Sequence, residues 1–292
     1  GPIGLFAAFY AGLRELDVTV IESLESVGGQ VANLYPQKAI LDVAGFLNVS
    51  GRDLIQSLTD QMMQLPQKLY TNTTVMDVIA DENGFQIETT QGKFHTKAVL
   101  VATGRGAFEP RRLPETVENN LMGQGIYYFL NDLEDFRHKR VLVAGGGDSA
   151  VDMATLLASV SDQVYLTHRR ETFRAMEHAI TVLKKSHVQQ VTPYNIDLIT
   201  QNDDGSLKVS LSKSRSEESL ELEVDAVMVN YGFMSENKIV AGWQVQPATQ
   251  RQRFVVNQEL ATSVPGVYAV GDVAEYVGKA ELIATGFGEV PT

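Results

Sequence analysis

The residues suited by type and spacing to chemistry lie in glycine turns and at strand tips. Gly145-Gly146-Gly147-Asp148-Ser149-Ala150 follows the strand-like run Arg140–Ala144 and opens a helical segment reaching about Ser159. In such a strand-turn-helix the first glycine permits the tight turn, Gly147 lets the backbone approach a pyrophosphate, and Ala150 keeps helix and strand close. The first helical amides then face the phosphates, where the helix dipole favours negative charge. Downstream, the strand Gln163–Thr167 ends at His168-Arg169-Arg170, with Arg174 close behind. Guanidinium forks match a phosphate, so this unit is expected to prefer NADP, held by Gly145, Gly147, Asp148, Ser149, His168, Arg169, Arg170 and Arg174. The alternative is a solvated cluster of charge after a strand.

A second place of the same kind has the opposite charge. Gly1-Pro2-Ile3-Gly4 opens an apolar helix, Leu5–Gly12, followed by the strand Asp17–Ile21 and then Glu22. A carboxylate there can accept hydrogen bonds from a ribose diol and would repel a 2'-phosphate, which suits FAD or NAD. Glu22 follows Gly1 at the same sequence distance as His168 follows Gly147, so one nucleotide-binding unit occurs twice. Only the G-x-x-G tail of a dinucleotide fingerprint is present at Gly1 and Gly4. A strand is therefore expected upstream of Gly1, and a further segment beyond the abrupt Val290-Pro291-Thr292.

The elements that must position these residues repeat as well. Ala98–Gly104 and Ala226–Gly232 are matching apolar runs suited to buried parallel strands, one closing each unit. Before each lies a predicted antiparallel meander, Thr74–Ala80, Phe85–Thr89 and Lys93–Lys97 in the first unit, Val191–Thr200, Leu207–Leu211 and Ser219–Val224 in the second. Asp81-Glu82-Asn83-Gly84 and Asn202-Asp203-Asp204-Gly205 supply turns between them. Gly266–Asp272 is expected to be one more buried strand, ending in an acid. The fold class is α/β, two Rossmann-like three-layer domains with one inserted into the other. Residues 1–112 and 233–292 form the discontinuous FAD domain and 113–232 the NADP domain.

Composition excludes several functions. The 292 residues contain no cysteine, so no disulfide, thiolate metal site, cysteine nucleophile or CxxC dithiol can form from them. A net charge of -12 and a pI near 4.9 argue against a broad basic face for nucleic acid. No apolar run approaches a membrane span, and a cytoplasmic location is expected. His95, His138, His178 and His187 lack metal-ligand spacing, and Trp243 and the methionines suit packing. Arg105, Arg111 and Arg112, with Arg137 to Arg140, could be either a solvated face or a docking patch for an acidic partner.

Pairing the Glu22 unit with an inserted unit carrying His168-Arg169-Arg170-Glu171-Thr172-Phe173-Arg174-Ala175 resembles the thioredoxin reductase superfamily across essentially the whole chain, including Gly28-Gly29-Gln30, Ala102-Thr103-Gly104 and Gly271-Asp272. Those reductases carry a CxxC shortly before the first strand of the NADP domain. Here Tyr127-Tyr128-Phe129-Leu130-Asn131-Asp132 occupies that region. Asn33-Leu34-Tyr35-Pro36, Asn230-Tyr231-Gly232-Phe233 and Ala284-Thr285-Gly286-Phe287-Gly288-Glu289 are similar to the thioredoxin-reductase-like ferredoxin:NADP reductases. The related bacillithiol-disulfide reductases have a cysteine in the first glycine loop, where this chain has Ile3.

The resemblance implies FAD contacts at Gly1, Gly4, Glu22, Gln30, Tyr35 stacking on the isoalloxazine, the backbone of Val75, Phe108 and Asp272. An acid after a buried strand can accept a ribityl hydroxyl, although Asp272 could equally cap a helix, and Tyr35 and Phe108 could be core aromatics. The implied activity is hydride transfer between NADPH and flavin N5 with electrons exchanged with ferredoxin or flavodoxin. The resemblance also implies a homodimer that needs no catalytic side chain, with Pro110–Pro114 and Tyr231–Asn237 forming a hinge. The alternatives are an NADPH-dependent disulfide reductase whose thiols lie outside this chain, and a flavoprotein that senses NADPH without turnover.

Overall fold

Val141, Leu142, Val143 and Ala144 have no polar side chain to offer water, and all four are fully buried at the centre of a parallel sheet. A computed structural model describes residues 1–130, 132–213, 216–236 and 242–292, with only the backbone of 107–109 and 234–236. The chain divides into two compact units, one formed by Gly1–Phe108 with Ser235–Thr292, the other by Glu109–Met234. The second is inserted between the halves of the first, in the expected α/β class. The changes of unit fall at 108/109 and 234/235 rather than at 112/113 and 232/233. Ala107–Pro110 and Phe233–Glu236, which run through these changes, pair as a two-stranded sheet. Asn237, placed in the expected hinge, lies outside the described residues.

In the inserted unit five parallel strands lie in the order Ile126–Tyr127, Ala226–Val229, Arg140–Ala144, Gln163–Thr167 and Gln189–Val191. Successive side chains of a strand point to opposite faces. Val141 and Val143 accordingly pack on the helix Asp148–Leu157 through Ala150, Val151, Ala154 and Leu157, while Leu142 and Ala144 pack on the meander through Ile199, Leu207, Val209 and Leu211. Each large apolar side chain so buried contributes about 1.5–3 kcal/mol. The predicted segment Val191–Thr200 is two strands. Pro193 has no N–H to donate, and it separates the parallel strand Gln189–Val191 from the antiparallel Asn195–Gln201.

The other unit repeats the layers with shorter strands. Helix Pro2–Leu13 begins with a proline whose missing N–H costs nothing there. Together with helix Gly51–Met62 it buries Leu5, Ala8, Leu54, Ile55, Leu58 and Met62 in one cluster. Val78, Phe85 and Ile87 of the antiparallel meander Val75–Asp81, Gly84–Thr89 and Gly92–Thr96 form the other core with Val101 and Val267. Thr19–Ile21 pairs parallel with Lys68–Tyr70, and Val99–Val101 with Val267–Ala269. Among the described residues no strand joins these two pairs, the place held in the inserted unit by Arg140–Ala144.

Candidate functional site

At the end of the strand Arg140–Ala144 the chain turns at Gly145, whose φ of +157° is a conformation that side chains rarely adopt. A Cβ there would lie 2.4 Å from the carbonyl oxygen of Asn230 and 2.7 Å from Ala150 Cβ, so glycine is required where two strands and a helix converge. Gly147 precedes the helix Asp148–Leu157 without a side-chain cap; the Ala150 N–H donates to the Gly147 oxygen at 3.0 Å, while the Asp148 and Ser149 amides have no intrahelical acceptor. A Cβ on Gly147 would meet only the Arg174 carbonyl oxygen, at 3.9 Å, so the face of the loop is open.

The arginine segment is stitched to this loop. The N–H of Arg174 donates to the Gly146 oxygen at 2.7 Å, and that of Met176 donates to Asp148 Oδ1 at 2.8 Å. Asp148 is thus engaged with the neighbouring loop, while Ser149 lies exposed in the first turn. Arg169, Arg170 and Arg174 are exposed, and none is in an ion pair among the described residues. His168 differs from them. Its ring lies where a Cβ on Gly146 would sit, 2.2 Å from its Cε1 and Nδ1, and it stacks on Phe173 at 5.8 Å. Burial and then Arg169, Arg170 and Arg174 lower its pKa, so it supports the loop as a neutral ring. His168 Nε2 and Asn230 Oδ1 are buried without hydrogen-bond partners beside the glycine turn.

In the other unit Gly1, Gly28 and Gly29 form a second cradle. A Cβ on Gly1 would meet only the Gly28 oxygen, at 3.9 Å, while one on Gly29 would come within 3.1 Å of Gly1 Cα. Gly4 faces Ala102, 3.4 Å from where its Cβ would be, which brings the helix close to the chain just past the strand Val99–Val101. Glu22 sits at the tip of Thr19–Ile21 with its side chain 18 % exposed, Oε1 accepting the Leu24 N–H at 3.1 Å. The Thr73 N–H donates to the Glu22 oxygen at 2.9 Å, which brings the start of the strand Val75–Asp81 beside Glu22. Gln30 lies in the first turn of the helix Gly29–Leu34, and Tyr35 ends that helix. Tyr35 is pushed up to about 12 by burial, then by Asp272 and Asp42, so its phenol and the Asp272 carboxylate share one neighbourhood. Asp272 is itself raised, chiefly by burial, with Arg105 Nε 4.0 Å away opposing the shift. The side chain of Phe108 lies outside the described residues.

The helix Gly51–Met62 has no counterpart in the sequence expectations, yet it positions Tyr35. A Cβ on Gly51 would lie 2.7 Å from the Tyr35 oxygen, and Ile55 packs 2.7 Å from where a Gly28 Cβ would be. Its signal was present: Ser50 Oγ accepts the Asp53 N–H at 3.0 Å as an N-cap, ahead of Leu54, Ile55, Leu58 and Met62 at helical spacing. The residues present fit the two groups. The inserted unit offers an open glycine cradle, orphaned polar atoms and three guanidiniums that make no ion pair among the described residues. The other offers a cradle beside which Glu22 stands at the strand tip, where a carboxylate could accept a ribose diol. Among the described residues no group of three or more His, Asp or Glu could hold a metal ion, and no helix is long and apolar enough to cross a membrane.

Paired nucleotide cradles in nested α/β units are the architecture of the flavin-linked pyridine nucleotide reductases. A family model described as pyridine nucleotide-disulphide oxidoreductase matches residues 1–289, and the chain belongs to that family. It is 47% identical over 294 residues to the ferredoxin–NADP reductase of Leuconostoc citreum (strain KM20), covering 100% of this chain and 87% of that protein. It is 45% identical over 293 residues to the ferredoxin–NADP reductase of Limosilactobacillus fermentum, covering 100% and 89%. Among solved structures it is similar to a thioredoxin reductase of T. acidophilum, with a TM-score of 0.86 and 25% identity over 99% of this chain and 92% of that one.

Proposed function

We propose that this protein is an NADPH-dependent FAD oxidoreductase that exchanges electrons with a ferredoxin or flavodoxin, a ferredoxin–NADP reductase. The observation that carries this reading is the opposite charge at the two ribose ends, Glu22 in one cradle and unpaired Arg169, Arg170 and Arg174 in the other, in a chain without cysteine. Gly1, Gly4, Glu22, Gln30, Tyr35, the backbone of Val75, Phe108 and Asp272 would hold FAD. Gly145, Gly147, Ser149, Arg169, Arg170 and Arg174 would hold NADP, with Asp148 and His168 shaping the loops. When bound, the flavin supplies the redox chemistry, accepting hydride from NADPH and passing electrons onward. The chain's own residues orient the two nucleotides and select the 2'-phosphate.

For an acidic partner protein, Arg111 and Arg112 are the exposed guanidiniums of the candidate patch without a carboxylate partner among the described residues. Arg105 is paired with Glu281, Arg137 with Glu134, and Arg140 with Asp225. A homodimer acting in the cytoplasm completes the reading, and light scattering of the purified protein tests its oligomeric part. The deciding experiment is an acceptor screen. Protein supplied with FAD should be yellow and reduce ferredoxin or flavodoxin with NADPH far better than with NADH. A colourless protein, or equal use of NADH, would overturn the assignment. Preference for a low-molecular-weight disulfide would indicate a disulfide reductase, and slow flavin reduction with every acceptor an NADPH sensor.

A further inference from the structure

Glu289 is 6 % exposed and closes the helix Ile283–Glu289. A carboxylate there faces the negative end of the helix dipole and has lost its water, so its charge must be satisfied by specific donors. Three are present. The Gly271 N–H donates to Oε2 at 2.6 Å, the Tyr276 hydroxyl donates to Oε1 at 2.9 Å, and the Lys279 ammonium, its side chain 4 % exposed, donates to Oε1 as well. Burial, then the hydrogen bond to Glu289, pushes the Tyr276 phenol up to about 12. Lys279 also lies over the Tyr276 ring, 5.0 Å from its centre.

The contact with Gly271 gives this cluster a purpose beyond holding a helix. Gly271 has a φ of +71° and begins the short turn Gly271–Val273, in which Asp272 is the next residue. The preceding N–H, of Val270, donates to the Val101 oxygen at 3.0 Å. Ile3 closes the other side, 3.4 Å from where a Gly271 Cβ would be. The peptide leading into Asp272 is therefore clamped by the strand on one residue and by Glu289 on the next. Asp272 remains half-exposed, 37 % of its side chain, and makes only a distant contact with Arg105.

We propose that Glu289 is a positioning residue of the flavin site: its carboxylate fixes the Gly271–Asp272 turn so that the Asp272 side chain is aimed at a ribityl hydroxyl of FAD, while Lys279 and Tyr276 neutralise and orient Glu289. This rests on the FAD reading of Asp272. The reason for a buried ion pair in a place where apolar residues would pack without penalty is then the Gly271 N–H, which needs an acceptor held rigidly.

The test compares two charge-balanced double variants of the full chain. Glu289→Gln with Lys279→Met keeps a side-chain oxygen for Gly271, and FAD affinity measured by titration of apoprotein should stay near wild type. Glu289→Met with Lys279→Met removes that oxygen. FAD should then bind about 10-fold more weakly or worse, and the flavin midpoint potential should shift, with the apoprotein melting temperature matched between the two variants. Equal FAD affinity and equal potential in the pair would overturn the proposal. Should the second variant fail to fold, Glu289→Asp keeps the charge for Lys279 but withdraws from Gly271. The same loss of affinity is expected, and wild-type affinity would overturn the proposal. Asp272→Ala separates the two claims. If it binds FAD as wild type does, the reading of Asp272 fails and the proposal with it. If it weakens FAD while the double variants match, Glu289 alone loses its role.

Discussion

The backbone N–H of Arg174 donates to the carbonyl oxygen of Gly146 at 2.7 Å, so the glycine loop and the arginine segment form one stitched surface. In the NADP site proposed above, the Arg174 guanidinium would therefore be carried on a backbone that the glycine loop itself holds.

Removing the exposed guanidiniums should act on NADPH alone. Arg169→Ala with Arg170→Ala should raise the KM for NADPH by about 10-fold or more, the scale of lost charge-assisted hydrogen bonds, and leave the KM for NADH nearly unchanged. Equal increases for both nucleotides would contradict the clamp.

Asp148 offers a subtler outcome. Its Oδ1 accepts the Met176 N–H, so Asp148→Ala should loosen the Arg174 loop and raise the KM for NADPH about 3- to 10-fold, while Asp148→Asn, which can still accept, should stay near wild type. If Asp148 repels the nucleotide instead, both substitutions would lower that KM.

Gly146 and His168 should be coupled. Gly146→Ala drives a methyl into the His168 ring and should destabilise the protein by about 1–3 kcal/mol in urea unfolding. Adding His168→Ala to Gly146→Ala should cost less than the sum of the single changes, and strict additivity in the double-mutant cycle would show that the contact is not felt.

The same histidine gives a pH dependence with a definite sign. Its folded pKa is lowered from 6.5, so between the two values the unfolded chain binds more protons, and stability falls as pH drops below 6.5. His168→Gln should flatten the unfolding free energy over that range. A wild-type profile already flat from pH 7 to pH 5 would contradict the buried neutral ring.

What the sequence made legible was local. Arg140–Ala144, the glycine turn and the helix after it are consecutive, and their pattern alone specifies a strand, a turn and a helix. Contacts between distant residues carried no such signal. Glu289 meets Gly271 through folding alone, and the hydrogen bonds of Asp148 and Arg174 depend on how one loop returns over another. Val191–Thr200 reads as one strand because its apolar spacing spans Pro193, where the missing donor ends one strand before the next begins. The helix Gly51–Met62 has a readable cap and apolar spacing, but its role in positioning Tyr35 comes from the approach of Gly51 to the Tyr35 oxygen, a contact that only the fold makes.

Both faces of Arg140–Ala144 are apolar, so hydrophobicity alone does not distinguish one alignment of the sheet from its neighbour. Gly145 does. A slip by one residue would bring Ala144 to the point where a Cβ stands 2.4 Å from the Asn230 oxygen, and no rearrangement of a methyl relieves that. The glycine that opens the loop is also the registration mark of the sheet, so an inserted residue should be fatal immediately before it and harmless in the distant turn Asn202–Gly205.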